Sequence, residues 1–125
     1  MLKVSDKKKT GNYGENKATS FLIQNGYEIV ERNYGTRTGE IDIIAKKGDL
    51  LVFVEVKTLP NGSPELLSLV LNERKQKRII KTAQSFLAKY RKYSNNYIRF
   101  DAIIVDMPGL PEFYHVENAF VAEFL

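Results

Sequence analysis

Two acids and a lysine on neighbouring segments are the residues of this chain best placed to do chemistry together. Asp42 stands in GEIDII, and Glu55 and Lys57 stand in LVFVEVK, residues 51–57. Both segments are rich in Val, Ile, Leu and Phe, types that fit a pleated strand. Gly48-Asp49 between them is a two-residue loop opening on glycine, the signal of a hairpin. With those two as the loop, Lys47 pairs with Leu50. The same register sets Asp42 opposite Glu55 and Glu40 opposite Lys57, all four side chains on one face. Carboxylates facing each other across about 5 Å repel by about 3 kcal/mol at an effective dielectric near ~20. The apolar neighbours Ile41, Ile43, Val54 and Val56 add desolvation. A domain has only ~5–15 kcal/mol of net stability, so the pair calls for a cation. Lys57 is one. A divalent metal is a better one, and magnesium typically uses one or two carboxylates and leaves its other positions to water and phosphate. Structural ion pairs with Lys57 or Arg37 would answer the same charge problem without a metal.

A third acid, Glu15, precedes Ala18 by three and Leu22 by seven, which puts it on the apolar stripe of a helix rather than the face where exposed acids belong. A helix-start acid favoured by the macrodipole is the alternative. A second helix opens with ERKQKRIIK, residues 73–81, so that Arg74, Lys75, Lys77, Arg78 and Lys81 crowd its first half. Cations there oppose the helix dipole by ~0.3–1 kcal/mol each. Phosphates would explain them, since dipole and lysines both attract anions; a solvated polar face is the other reading. Gln76 precedes Ile79, Ile80 and Ala83 by three, four and seven, so it faces inward and needs a partner. His115 is the only histidine, which argues against a histidine metal site, and Asp101 in IRFDAIIVD reads as a structural strand acid.

The elements that must position these residues follow from periodicity. Residues 13–25 read as a helix closed by Gly26, with 1–12 a flexible, lysine-rich segment before it. Tyr27 to Tyr34, Gly39 to Lys46 and Leu50 to Thr58 read as strands. Pro60 to Pro64 is a loop, and ELLSLVL, residues 65–71, is a short helix or an apolar loop. Residues 73–91 carry the strongest helical stripe, with Asn72 as N-cap. Strands over Ile98–Asp106 and Phe113–Glu117 complete the order α-β-β-β-α-β-β. That order implies one α/β domain over 13–125, a central mixed sheet flanked by helices.

At 125 residues the chain can bury a core without staples. It has no cysteine, which excludes disulfides, a thiolate zinc site and a thiol nucleophile. No apolar run approaches the ~18 residues of a membrane span, and the start lacks an apolar signal region, so a cytoplasmic protein with no membrane partner is expected. The formal net charge of +4 is mild, so what matters is where the charge sits.

Asp42 followed by Glu55-Val56-Lys57 on the next strand resembles the PD-(D/E)xK nuclease superfamily, with Ile41 where that pattern has its loosely kept proline. The wider series YGENKATSFLIQNGYEIVERNY, GEIDIIAKKGDLLVFVEVKT, RKQKRIIKTAQSFL, RFDAIIVD and VENAF, over about residues 11–120, is similar to the YraN family of uncharacterised bacterial proteins. The chain departs from that family at Leu59, where an arginine is common, and in the apolar ELLSLVL. The resemblance implies a restriction-endonuclease-like core, similar to Holliday-junction resolvases. It also implies a metal-dependent endonuclease hydrolysing DNA phosphodiester bonds, on branched DNA in repair or recombination. In that reading Asp42, Glu55 and the Val56 carbonyl hold Mg2+ or Mn2+. Lys57 orients the attacking water, and Glu15 completes the acidic cluster. Gln76 orients a phosphate or water, and Arg74, Lys75, Lys77 and Arg78 contact DNA. A homodimer follows by analogy with resolvases. The alternative is a catalytically silent nucleic-acid-binding or protein-interaction module on the same scaffold.

Overall fold

The computed structural model describes residues 4–58 and 71–122, with side chains from Asn12 onward. Along the chain these are α1 (Val4–Gln24), β1 (Glu28–Thr36), β2 (Gly39–Lys47), β3 (Leu50–Thr58), α2 (Glu73–Lys89), a 3-10 turn (Arg91–Tyr93), β4 (Tyr97–Val105) and β5 (Phe113–Phe120). The strands form one sheet in sequence order, parallel only between β3 and β4. A parallel step needs a crossover, and α2 supplies it, whereas the antiparallel steps are short turns. The α-β-β-β-α-β-β mixed sheet expected from periodicity is therefore the fold. Leu59 and residues 65–70 of the ELLSLVL segment lie outside the described residues. The helix start expected at residue 13 falls inside α1, which is described from Val4. No described helix is long and apolar enough to cross a membrane.

The helices cover opposite faces. Ala18 and Leu22 of α1 pack on Ile43, Ala45, Val52, Val54 and Val56. Ile79, Ile80, Ala83 and Phe86 of α2 pack on Ile44, Leu51 and Phe53. The second layer is tied together by aromatic rings, with Phe53 stacked on Phe100 at 5.5 Å and met by the edge of Phe86 at 5.9 Å between centroids. Asn72 caps α2 as its residue type predicts, its Oδ1 accepting the Lys75 N–H at 3.0 Å.

The β2–β3 hairpin turns on Gly48 at φ +61°, a positive value at the first loop position that glycine adopts without strain. Its register is the expected one: Lys47 pairs with Leu50 and the ladder runs to Ile43 opposite Val54. There it stops. The anticipated rungs, Asp42 opposite Glu55 and Glu40 opposite Lys57, lie past the end of the ladder. Like charges directly opposite destabilise a sheet, and here the strands part before that point. The side-chain alternation of β2 also breaks there. Ile41 and Ile44, three apart, share the layer under α2, while Ile43 lies in the layer under α1. Asp42 thus sits where β2 changes face, in a fork between two strands.

Helix α1 approaches this fork closely at one position. Gly14 is buried, and a Cβ added to it would overlap Thr58 Oγ1 at the end of β3 and lie 3.8 Å from Val56 Cγ1. The missing side chain is what lets the next residue, Glu15, reach the fork.

Candidate functional site

Asp42 anchors the site through its own backbone neighbourhood. Its Oδ2 accepts the Val56 N–H at 2.8 Å. Glu15 from α1 and Glu40 from the start of β2 join it: each of the three offers an oxygen, and these oxygens lie within 4.8 Å of one another. Glu15 is also held by Arg32 of β1, Nη2 to Oε2 at 3.4 Å, and its side chain is only 12% exposed.

The second half of the site hangs from β3 on the side of α2. Glu55 follows Phe53 by two and so shares its face. It is buried and receives two ammonium groups on Oε1, Lys75 at 2.6 Å and Lys57 at 3.4 Å. A buried carboxylate left alone would carry a desolvation cost of several kcal/mol; two lysines offset it here. The fork is thus reached from both faces of the sheet, by an acid from α1 and a base from α2.

These placements shift the protonation equilibria in opposite directions. Burial, together with the charges of Glu55 and Glu15, pushes the Asp42 carboxyl up to about 8, against the pull of the Val56 N–H and Lys57. Burial also pushes the Lys57 ammonium below its ordinary range, helped by its hydrogen bond to Lys75 and only partly opposed by Glu55. For Lys75, burial works the same way but the hydrogen bond and charge of Glu55 outweigh it, and the group ends raised. Of the two lysines, Lys57 is therefore the one that gives up a proton more readily.

The donor set fits a hard divalent cation. An octahedral magnesium with bonds of ~2.0–2.1 Å sets neighbouring oxygens about 3 Å apart and opposite ones about 4 Å, so three oxygens already within 4.8 Å of one another need to close by at most about 2 Å. In a strand the N–H and C=O of one residue point to the same side. Since the Val56 N–H faces Asp42, its carbonyl faces the fork as well.

Of the residues singled out from sequence, Glu15, Asp42, Glu55, Lys57 and Lys75 converge here. The group of three carboxylates is Glu15, Glu40 and Asp42, and Glu55 is engaged by lysines. Gln76 is half-buried as expected, and its Nε2 donates to the Leu71 carbonyl at 2.8 Å. Arg74, Lys77 and Arg78 are exposed on α2, with Lys77 3.5 Å from Glu73 one turn back. Arg32 and Glu40 were not singled out for the site. Glu40 had a signal, its parity with Asp42. Arg32 had none, because only the packing of α1 on β1 brings it to Glu15.

A second polar cluster lies apart from these residues. Asp101 of β4 is fully buried and accepts two bonds from Arg99 at 2.8 Å, one from the Asn118 N–H at 2.9 Å, and pairs with His115 Nε2 at 2.7 Å. Arg99 also donates to the Tyr27 hydroxyl at 2.8 Å. Asp101 and His115 are thus bonded into the interior, in line with the structural reading of Asp101.

A family model described as "Uncharacterised protein family UPF0102" matches residues 14–105, a span that holds every residue of the fork. A UPF0102 protein of Treponema denticola is 46% identical, covering 88% of this chain and 93% of its own. One from Acinetobacter baylyi is 47% identical over 78% of this chain and 70% of its own. One from Treponema pallidum is 48% identical over 76% and 75%. Among solved structures, a chain of an EndoMS–dsDNA2 complex is 16% identical with a TM-score of 0.35, covering 87% of this chain and 40% of that one; a likeness of that size carries no conclusion about the reaction. With α1 from Gly14, the forked hairpin, α2 and β4 all inside the matched span, the chain belongs to the UPF0102, or YraN, family of uncharacterised proteins.

Proposed function

We propose that this protein hydrolyses phosphodiester bonds of DNA, branched or otherwise structured, with a divalent magnesium or manganese ion. The observation that supports the reading most is the meeting of Glu15, Glu40 and Asp42 with the Glu55–Lys57–Lys75 group at one fork. The residues that would hold the ion are Asp42, Glu15 and Glu40, with Glu55 and the Val56 carbonyl beside them. When bound, the ion polarises the phosphate and eases deprotonation of water. The chain's own residues do the rest. Lys57, whose ammonium is destabilised by burial, orients the attacking water and accepts its proton as the water oxygen bonds to phosphorus. The phosphorus–oxygen bond to one sugar breaks in the same displacement, and the departing oxygen takes a proton from solvent. Lys75, which keeps its proton, offsets charge on the phosphoryl oxygens. Gln76 orients a phosphate or water near its half-buried position, and Arg74, Lys77 and Arg78 hold the flanking backbone.

The test is cleavage of branched and linear DNA with magnesium by wild type, Asp42→Ala and Lys57→Ala. Loss of at least about 100-fold in both variants is expected, the scale of removing a group that acts in the transition state. Equal activity in all three preparations identifies a contaminant and sinks the assignment. The second reading, a DNA-binding module without cleavage, is favoured by one feature: Glu55 already has two cations. Salt-sensitive binding with no cleavage under any divalent metal would select it.

A further inference from the structure

The turn between β1 and β2 carries Arg37 and is locked onto α2. The hydroxyls of Thr36 and Thr38 lie 2.8 Å apart, and they stand 3.5 and 3.3 Å from the hydroxyl of Thr82 on α2. Thr82 is fully buried and donates its own proton to the Arg78 carbonyl at 2.9 Å, so its oxygen is left to accept from the turn. The Thr38 N–H donates to Thr36 Oγ1 at 3.2 Å. Gly39 completes the contact, since a Cβ there would lie 3.4 Å from Thr82 Oγ1 and 3.5 Å from Arg78 Cβ. These hydroxyls are engaged in bracing. What they brace is an exposed arginine at the tip, with no acid in ion-pair range among the described residues.

The direction of α2 gives that arginine its meaning. Lys75 reaches Glu55 at the site, while Thr82, seven residues on, holds the turn. Seven residues of helix rise about 10 Å, the rise of about three phosphates along one strand of a duplex. Along this stretch, from just before Lys75, Arg74, Lys77, Arg78 and Lys81 recur at spacings of three and four, all exposed. We propose that Arg37 is a contact to the DNA phosphate backbone about three nucleotides from the scissile bond, extending the basic stripe of α2 onto a second, pre-ordered element. Pre-ordering matters because an arginine on a fixed turn loses less freedom on binding than one on a loose loop. Arginine also suits phosphate, to which it donates two parallel bonds.

The inference rests on the phosphodiesterase reading for its ligand, and binding separates the two. Anisotropy titrations of a labelled duplex in EDTA compare wild type, Arg37→Ala and Arg37→Lys. Arg37→Ala is expected to bind about 3- to 10-fold more weakly near 100 mM salt, and the slope of log affinity against log salt to fall by about 0.9, one phosphate contact. Arg37→Lys keeps the slope. Phosphate-ethylation interference should lose one position in the alanine variant, about three nucleotides from the cleavage site. Wild type and Arg37→Ala with equal affinity and slope overturn the inference alone. A wild type that neither binds nor cleaves DNA overturns it together with the function proposed above.

Discussion

The Asp42 carboxylate takes the Val56 N–H at 2.8 Å, filling the place where a β2 backbone carbonyl would stand if the hairpin ladder continued past Ile43 and Val54. A side chain substitutes for a rung, and the substitution fixes an acid at the split between two strands.

The position is unfavourable to a charge, and pH should reveal it. The Asp42 carboxyl rises from its ordinary 3.8 to about 8 on folding, through burial first and then Glu55 and Glu15. Between those values the folded chain holds a proton that the unfolded chain has lost. Stability therefore falls as pH rises through that window, on the order of 1 kcal/mol per pH unit for one group. Urea unfolding in EDTA from about pH 5 to about pH 8 measures this. Asp42→Asn, which keeps an oxygen for the Val56 N–H, should flatten the profile and be the more stable protein at the alkaline end. Added manganese should restore wild type there and leave the asparagine variant unchanged. A wild-type profile already flat in EDTA would contradict the placement of this acid.

Arg32 should behave as a stand-in for the cation. It holds Glu15 at 3.4 Å, and its Nε is buried without a partner. Arg32→Met keeps the length of the stem and removes the charge, leaving the Glu15 carboxylate without its cation beside Glu40 and Asp42. A loss of about 1–3 kcal/mol is expected in EDTA, with most of it recovered on adding manganese. A loss of the same size with and without metal would make Arg32 a packing residue only.

Gly14 should be coupled to Thr58. A methyl group at Gly14 overlaps Thr58 Oγ1, so Gly14→Ala must turn Thr58 or lift α1 from β3. Overpacking of this kind typically costs ~1–3 kcal/mol. The helix propensity of alanine works the other way by up to ~1 kcal/mol, so the penalty is read against that gain. Combining Gly14→Ala with Thr58→Ala should remove the penalty, and a double-mutant cycle gives the coupling. If the single variant displaces Glu15, metal affinity falls with it and returns in the double. Additive effects would show that the close approach is not what seats the helix.

The parts of this arrangement that local chemistry dictates were legible in the sequence. A glycine-led two-residue loop fixes register, so the pairing of Lys47 with Leu50 could be counted out. Asn72 announced its cap, and the apolar stripe of α2 announced its buried face. What could not be read depends on where elements stop or meet. The ladder ends one rung before the acids would face each other, and no residue type marks that end. The pairing of Lys75 with Glu55 rather than with solvent follows from the packing of α2 on the face of β3 that carries Phe53. Strand β5 runs to Phe120, past the expected Glu117, because the register shifts across Ala102 and Phe100, where Asn118 takes a φ of +55° and gives its N–H to Asp101. A bulge held by a buried carboxylate seventeen residues away leaves no periodic trace.

That carboxylate carries the last prediction. Burial alone would raise the Asp101 carboxyl. The His115 hydrogen bond, the Arg99 pair and the Asn118 N–H outweigh it and hold the group below its ordinary range. A depressed acid contributes stability that is present above the unfolded value, 3.8, and lost as pH falls toward the folded one, so its share should disappear only in acid, opposite in sense to Asp42. Asp101→Ala leaves the Arg99 guanidinium and the Asn118 N–H without their partner in the interior, and removing one side of a buried pair costs about 3–5 kcal/mol. Asp101→Asn should be milder, since an amide oxygen can still accept from Asn118 while the charge facing Arg99 is gone. Both variants should keep the metal affinity of the fork once corrected for the folded fraction, because the network shares no residue with Glu15, Glu40 and Asp42. A loss of metal binding in the folded fraction of Asp101→Asn would mean that β4 and β5 position the fork, and that the two polar clusters of the sheet are one unit.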